Sequence, residues 1–103
     1  MSKSSTFAKK YAMTREELSE IMESMGYEDS IVFENPSYLD AIVGFSDTGQ
    51  VIYDYDLMIE SLMKKEGMDM EEAAEFIDYN TVRALPYCSP SEKRPIILYK
   101  YDM

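Results

Sequence analysis

Two amphipathic helix patterns follow each other between residues 54 and 80, and they constrain the fold more than any other feature of the sequence. In the first, apolar residues recur at spacings of three and four, which predicts a helix over 55–66 with one buried face. Asp69 is a favoured N-cap residue, and the apolar pattern after it predicts a second helix over 70–79. Gly67 separates the two, because glycine readily adopts the left-handed conformation that ends a helix. The sequence therefore predicts two helices that each need a core to cover one face.

The remaining predicted elements are one more helix and a small sheet. Residues 14–17 have the capping-box pattern Thr-Arg-Glu-Glu, which predicts a helix over 14–25. Two β-rich runs flank a five-residue loop that contains Asp and Gly, and this pattern predicts a hairpin over about 41–54. An apolar run predicts a final strand over about 96–101, and the shorter run 31–33 is a further strand candidate. The prediction is an α+β fold in which a small antiparallel sheet is packed by about three helices.

The length of the chain indicates one domain. A chain of 103 residues suits a single hydrophobic core. Residues 1–13 contain three lysines and no acid, and we expect a flexible basic arm there, ahead of a single domain over 14–103. No apolar run approaches the ~18 residues that span a bilayer, so no membrane partner is expected.

Composition excludes several classes of function. The chain has 20 acidic and 10 basic residues, a formal net charge of -10, which argues against direct binding of nucleic acid or anionic membrane. It has no histidine, the commonest general base, and its one cysteine, Cys88, excludes an internal disulfide and any multi-cysteine zinc site. We therefore predict no cofactor, no metal and no catalytic residue. One free thiol is typical of a reducing cytosol, so a cytoplasmic location is expected.

The acidic residues are concentrated in one part of the chain. Residues 28–78 contain 14 acids and 2 bases. One interpretation is a solvated surface that aids solubility. The other is a partner-binding surface, because carboxylates spaced along helices imitate a phosphate track and are attracted to a basic groove on a protein. The candidates on the two consecutive helices are Asp56, Glu60, Glu71, Glu72, Glu75 and Asp78.

Three residues at and beyond the end of the second of these helices are candidate anchors for the same partner: Tyr79, Arg83 and Tyr87. Tyrosine offers rigid contact area at low entropic cost, and tyrosine and arginine are enriched where binding energy is concentrated. Two interpretations of Arg83 remain open. It either pairs with a carboxylate such as Asp78 and locks the helix end, with Tyr79 packed below, or it stays exposed as an anchor.

The triplet Asp47-Thr48-Gly49 matches the Asp-Thr-Gly motif of aspartic proteases, whose retroviral members are dimers of chains of this length. A dimeric aspartic-type hydrolase that uses Asp47 is therefore one alternative function. The same triplet lies in the predicted hairpin loop, where Asp and Gly are favoured by turn geometry alone. No second glycine-rich flap follows it, and two helices are predicted where a protease has mostly strands.

Residues 38–87 resemble small acidic proteins of unassigned function encoded by phages and conjugative elements of Gram-positive gut bacteria. The shared runs are DAIVG at 40–44, VIYDY at 51–55, EAAEFIDYNT at 72–81 and RALPY at 83–87. The resemblance brings no catalytic residue with it. It implies a mobile-element context in a bacterial host cell, where small acidic proteins include inhibitors of host defence such as anti-CRISPR proteins.

Together these observations predict a non-enzymatic acidic binding protein of a phage or mobile element. It would occlude a basic nucleic-acid-binding site on a host defence nuclease, such as a CRISPR effector. The alternative is a small adaptor module that forms homo- or hetero-oligomers, a homodimer among them, through its tyrosines and methionines.

Overall fold

The computed structural model describes residues 13–101 and confirms the α+β class. In this part of the chain three α-helices and three strands follow one another, with short 3-10 helices between them. The helices are α1 (Arg15–Met25), α2 (Tyr55–Glu66) and α3 (Met70–Asn80). The strands are β1 (Ile42–Phe45), β2 (Val51–Asp54) and β3 (Ile96–Leu98). Residues 1–12 of the expected basic arm lie outside the described residues, whereas Met13 packs against the core.

Capping interactions fix the ends of the helices where the sequence predicts them. The Thr14 hydroxyl accepts a hydrogen bond from the Glu17 amide, and the Glu17 carboxylate accepts one from the Thr14 amide, both at 3.0 Å. Asp69 and Glu72 form the same reciprocal pair at the start of α3. Gly67 ends α2 with φ 72°, in the left-handed region that suits glycine. Because each cap satisfies amides or carbonyls that the helix leaves free, the local sequence determines these boundaries.

Helices α2 and α3 form an antiparallel hairpin joined by only three residues, 67–69. The Tyr55 hydroxyl donates to Oδ1 of Asp78 at 3.4 Å. The beginning of α2 therefore lies beside the end of α3.

The sheet is mixed, which corrects the expectation of an antiparallel sheet. β1 and β2 form the predicted antiparallel hairpin, but β3 pairs with β2 in parallel, with Ile52 beside Ile96 and Asp54 beside Leu98. Parallel neighbours need a long crossover, and the helical hairpin with its following 3-10 turns supplies one. β3 also ends at Leu98, short of the expected 101, because its partner β2 ends at Asp54.

Residues 31–33 do not form the candidate strand. The Ile31 amide donates to the carbonyl of Lys93 at 2.9 Å, and the Phe33 amide donates to the Tyr53 hydroxyl at 3.1 Å. These two amides are satisfied by a loop carbonyl and a side chain, not by a neighbouring strand, so the segment adds no strand to the sheet.

The core lies between α1, the sheet and the helical hairpin. Each helix and the central strand contribute buried side chains: Leu18 and Met22 from α1, Val51 and Tyr53 from β2, Met58 and Leu62 from α2, and Ala73 and Ile77 from α3. These positions are the apolar faces that the helical spacing predicts, so the opposite faces of α2 and α3 point to solvent. None of the helices formed by residues 13–101 is long and apolar enough to cross a membrane.

Candidate protein-binding surface

The six predicted carboxylates all lie exposed on the helical hairpin, and we call them the acidic face: Asp56, Glu60, Glu71, Glu72, Glu75 and Asp78. On α3, Glu71, Glu75 and Asp78 are four and three residues apart, so they form one stripe. That stripe is opposite the buried Ala73 and Ile77. The packing of α3 therefore holds its acids outward on a rigid element.

Helix α2 contributes the other part of the acidic face. Asp56 and Glu60 are one turn apart and lie away from the buried Met58 and Leu62. The two parts approach each other where α2 begins and α3 ends. Burial raises the pKa of Tyr55 there, and the carboxylates of Asp78 and Asp56 raise it further because they disfavour a second negative charge.

The acidic face is not neutralised by the basic residues that the structure describes. Ion pairs within residues 13–101 join Arg15 to Glu34, Lys65 to Asp40 and Lys100 to Asp54. None of these pairs involves a carboxylate of the acidic face. Within residues 13–101 the carboxylates of the acidic face therefore form no ion pair, and the sequence alone could not show this because ion pairing depends on tertiary contacts.

An open groove of about 310 Å³ runs along one flank of α3. It brings together three residues that the sequence predicts as binding residues, Glu72, Glu75 and Tyr79. It is completed by three that sequence analysis missed: Met68, Phe76 and Asn80. Glu72, Phe76 and Asn80 are four residues apart, and this spacing is the signal that could have placed them on one flank.

The three candidate anchors are all exposed, but Arg83 does not make the pair proposed for it. Asp78 accepts from Tyr55 instead, and the Arg83 guanidinium carbon lies 5.3 Å from the centroid of the Tyr79 ring. Tyr79 does lie below Arg83, but it is 65% exposed, so the contact between them is at the surface. A 3-10 helix, Val82–Tyr87, follows α3 and carries Arg83 back over that ring. The arrangement is a cation–π contact at the surface, not a salt bridge that locks the helix end.

Asp54, the N-cap residue of α2, is a buried carboxylate, and its contacts are structural. It is 1% exposed; its Oδ1 accepts from the Leu57 amide at 3.0 Å, and its Oδ2 lies 3.2 Å from Nζ of Lys100. The rings of Tyr55 and Tyr99, which follow Asp54 and precede Lys100 in the chain, pack against each other with centroids 4.9 Å apart. Together these contacts attach the chain after β3 to the beginning of α2. Residues 13–101 contain no cluster of three or more potential His, Cys, Asp or Glu metal ligands.

The triplet Asp47-Thr48-Gly49 lies at the tip of the hairpin, and the contacts that it makes are those of a turn. The Gly49 amide donates to the Ser46 carbonyl at 2.9 Å, and Gly49 has φ 91°. The Tyr27 ring packs so closely on Gly49 that a β-carbon there would overlap it. These contacts explain the glycine without catalysis, and hydrolysis through Asp47 stays a prediction.

Compared with known proteins, the chain matches no family model, no curated protein and no solved structure. The resemblance of residues 38–87 to proteins of mobile elements therefore stays a prediction. The features that support a function are the groove and the exposed acidic face beside it, which forms no ion pair within residues 13–101.

Proposed function

We propose that this is a non-enzymatic binding protein whose acidic face occupies a basic, nucleic-acid-binding site on a partner protein. One observation carries the proposal: six exposed carboxylates on two packed helices, none of them paired with a base among residues 13–101. Like charges held together on a rigid scaffold repel one another, and a basic partner relieves that repulsion. They also accelerate association with such a partner by long-range attraction.

The density of charge on α3 fits a site that normally holds a nucleic-acid strand. Four carboxylates lie between Glu71 and Asp78, a distance of about 10.5 Å along the axis at about 1.5 Å per residue. This corresponds to one charge per about 3.5 Å. A DNA strand carries one phosphate per about 3.4 Å of its axis, so the two linear charge densities are similar.

The partner class follows from this charge and from the resemblance noted for residues 38–87. A basic cleft built for DNA or RNA belongs to a nucleic-acid-processing protein, and a phage or mobile element gains from blocking a host defence nuclease such as a CRISPR effector. Exposed Tyr79, Arg83 and Tyr87 beside the acidic face would add rigid contact area.

Affinity capture from a lysate of a Gram-positive gut bacterium tests the proposal. The immobilised protein is incubated with lysate at low salt and then washed with salt or with double-stranded DNA. We expect a nucleic-acid-processing protein that is released by both washes, because salt screens the contact and DNA competes for the same cleft. Capture of partners that neither salt nor DNA releases would contradict occlusion of a nucleic-acid site.

A second candidate function, an oligomeric adaptor, has its own supporting observation. β1 and β3 are the edges of the sheet, and apolar side chains are exposed on or just after them: Val43, Leu98, Tyr99 and Tyr101. Unpaired strand edges readily join a second chain. Sedimentation equilibrium distinguishes this candidate, since an adaptor of this kind is expected to form a stable dimer at low concentration and a strict monomer would count against it.

A further inference from the structure

We infer that the groove on α3 accepts an arginine side chain of the basic partner. This inference rests on the proposed function and adds the chemistry of one contact within it. Glu72 and Glu75 supply negative charge, while Phe76, Tyr79 and Met68 supply apolar surface. A guanidinium is planar and weakly hydrated, so it both stacks on aromatic rings and binds carboxylates through paired donors.

The openness of the groove suits one extended side chain better than a whole small molecule, because ligand pockets bury most of the surface of their ligand. Its volume of about 310 Å³ is at the lower end of the ~300–1,000 Å³ found for ligand pockets. It is also an open channel along a helix. An extended arginine could lie along Met68 and Phe76 with its head between the carboxylates.

The carboxylates of Glu72 and Glu75 can both still accept hydrogen bonds from a partner. Glu72 accepts from the Asp69 amide through Oε1 at 3.0 Å, which leaves its other oxygen free for a partner. Glu75 makes neither an ion pair nor a side-chain hydrogen bond within residues 13–101. Replacing the water around such an exposed carboxylate with a guanidinium that also stacks on a ring costs little free energy.

One guanidinium of the protein already lies over the Tyr79 ring. Arg83 lies over the ring at 5.3 Å, within the ~6 Å range of cation–π contacts. Arg83 follows Tyr79 in the chain, whereas Glu72, Glu75 and Phe76 precede it on α3. Helical side chains lean toward the N-terminus, so the Tyr79 side chain leans toward these groove residues.

Binding of two peptides tests the inference: an oligo-arginine and an oligo-lysine of equal length and charge, titrated calorimetrically into the whole protein. The readout is the ratio of the two affinities, because general attraction acts on both peptides alike. We expect the wild type to favour oligo-arginine roughly three- to tenfold. The variants Glu75→Gln and Tyr79→Leu should bring this ratio close to one.

Matched controls carry the same changes outside the groove. Glu71→Gln removes one exposed charge from the same stripe and should weaken the binding of both peptides alike. Tyr101→Leu removes an exposed tyrosine outside the helical hairpin and its anchors, so both variants should leave the ratio unchanged. All four positions are exposed, and circular dichroism checks that the variants fold. Equal affinities of the wild type for the two peptides, or equal effects of Glu71→Gln and Glu75→Gln on the ratio, would overturn the arginine site while the proposed function stands. Failure of both peptides to bind at low salt would overturn both.

Discussion

Tyr53 connects the stability of the protein to pH. Its side chain is fully buried, and its hydroxyl accepts from the Phe33 amide. Burial raises the pKa of Tyr53 to about 12, from an ordinary value of 10.0. Between these values the unfolded chain loses a proton that the folded chain keeps. The stabilisation that Tyr53 contributes is therefore fully present below pH 10, and the free energy of unfolding falls as the pH rises from 10 toward 12.

We expect the ionisation of Tyr53 alone to lower the free energy of unfolding by roughly 2–3 kcal/mol across that interval, because each unit of pKa difference corresponds to about 1.4 kcal/mol. Urea unfolding at a series of alkaline pH values measures it. The Tyr53→Phe variant cannot ionise, so its stability should fall less steeply. Its stability below pH 10 should drop by about 1 kcal/mol, because the Phe33 amide loses its acceptor. Parallel pH profiles for the two proteins would show that Tyr53 is not the responsible group.

Gly49 is the second residue with a specific requirement. Alanine there would be strained at φ 91° and would overlap the Tyr27 ring, so we expect Gly49→Ala to lower the free energy of unfolding by roughly 2 kcal/mol. Gly44 is the control, since a β-carbon there meets no atom within 4 Å and its φ is ordinary. Thermal or urea unfolding of both variants measures the difference. Equal effects would mean that the Tyr27 contact and the turn conformation do not restrict position 49.

The beginning of α2 depends on one buried cap, and this distinguishes it from the other helices. Asp54 caps α2, contacts Lys100 and is buried, whereas Asp69 caps α3 at the surface. We expect Asp54→Ala to cost roughly 2 kcal/mol and Asp69→Ala about 1 kcal/mol, because only the first also removes the contact with the chain after β3. Urea unfolding compares them. If Asp54→Ala destabilised the protein less than Asp69→Ala, this role of the Lys100 contact would be contradicted.

At the scale of elements, the sequence predicts what is encoded locally. Capping residues and apolar spacing give the helices to within a residue, and the turn residues around Gly49 give the hairpin. The direction of β3 could not be predicted, because strand composition does not specify a parallel or an antiparallel neighbour. In the candidate site, the exposure of the acids could be predicted, because it follows from helical spacing. The pairing of Asp78 with Tyr55 requires the tertiary arrangement of α2 and α3. Arg83 and Tyr79 are only four residues apart, and their contact depends on the 3-10 helix that follows α3.

At the scale of the whole molecule, net charge alone does not define a binding surface. The chain carries a net charge of -10, and α1 also has four acids: Glu16, Glu17, Glu20 and Glu23. Among residues 13–101 the acids of α1 are as free of ion pairs as those of the acidic face. What distinguishes the helical hairpin is the groove beside its carboxylates and the exposed Tyr79, Arg83 and Tyr87. Helix α1 therefore serves as an internal control for non-specific attraction.

The most direct test of this distinction is an NMR titration of the isotope-labelled protein with the oligo-arginine peptide at low salt. We expect the amide resonances that shift to lie in the solvent-facing parts of α2 and α3 and in the 3-10 helix after them, and those of α1 to stay in place. The shifts should diminish as salt is added, because the contact is electrostatic. Shifts distributed equally over α1 and the helical hairpin would show general attraction to a negative protein and would contradict a specific acidic face.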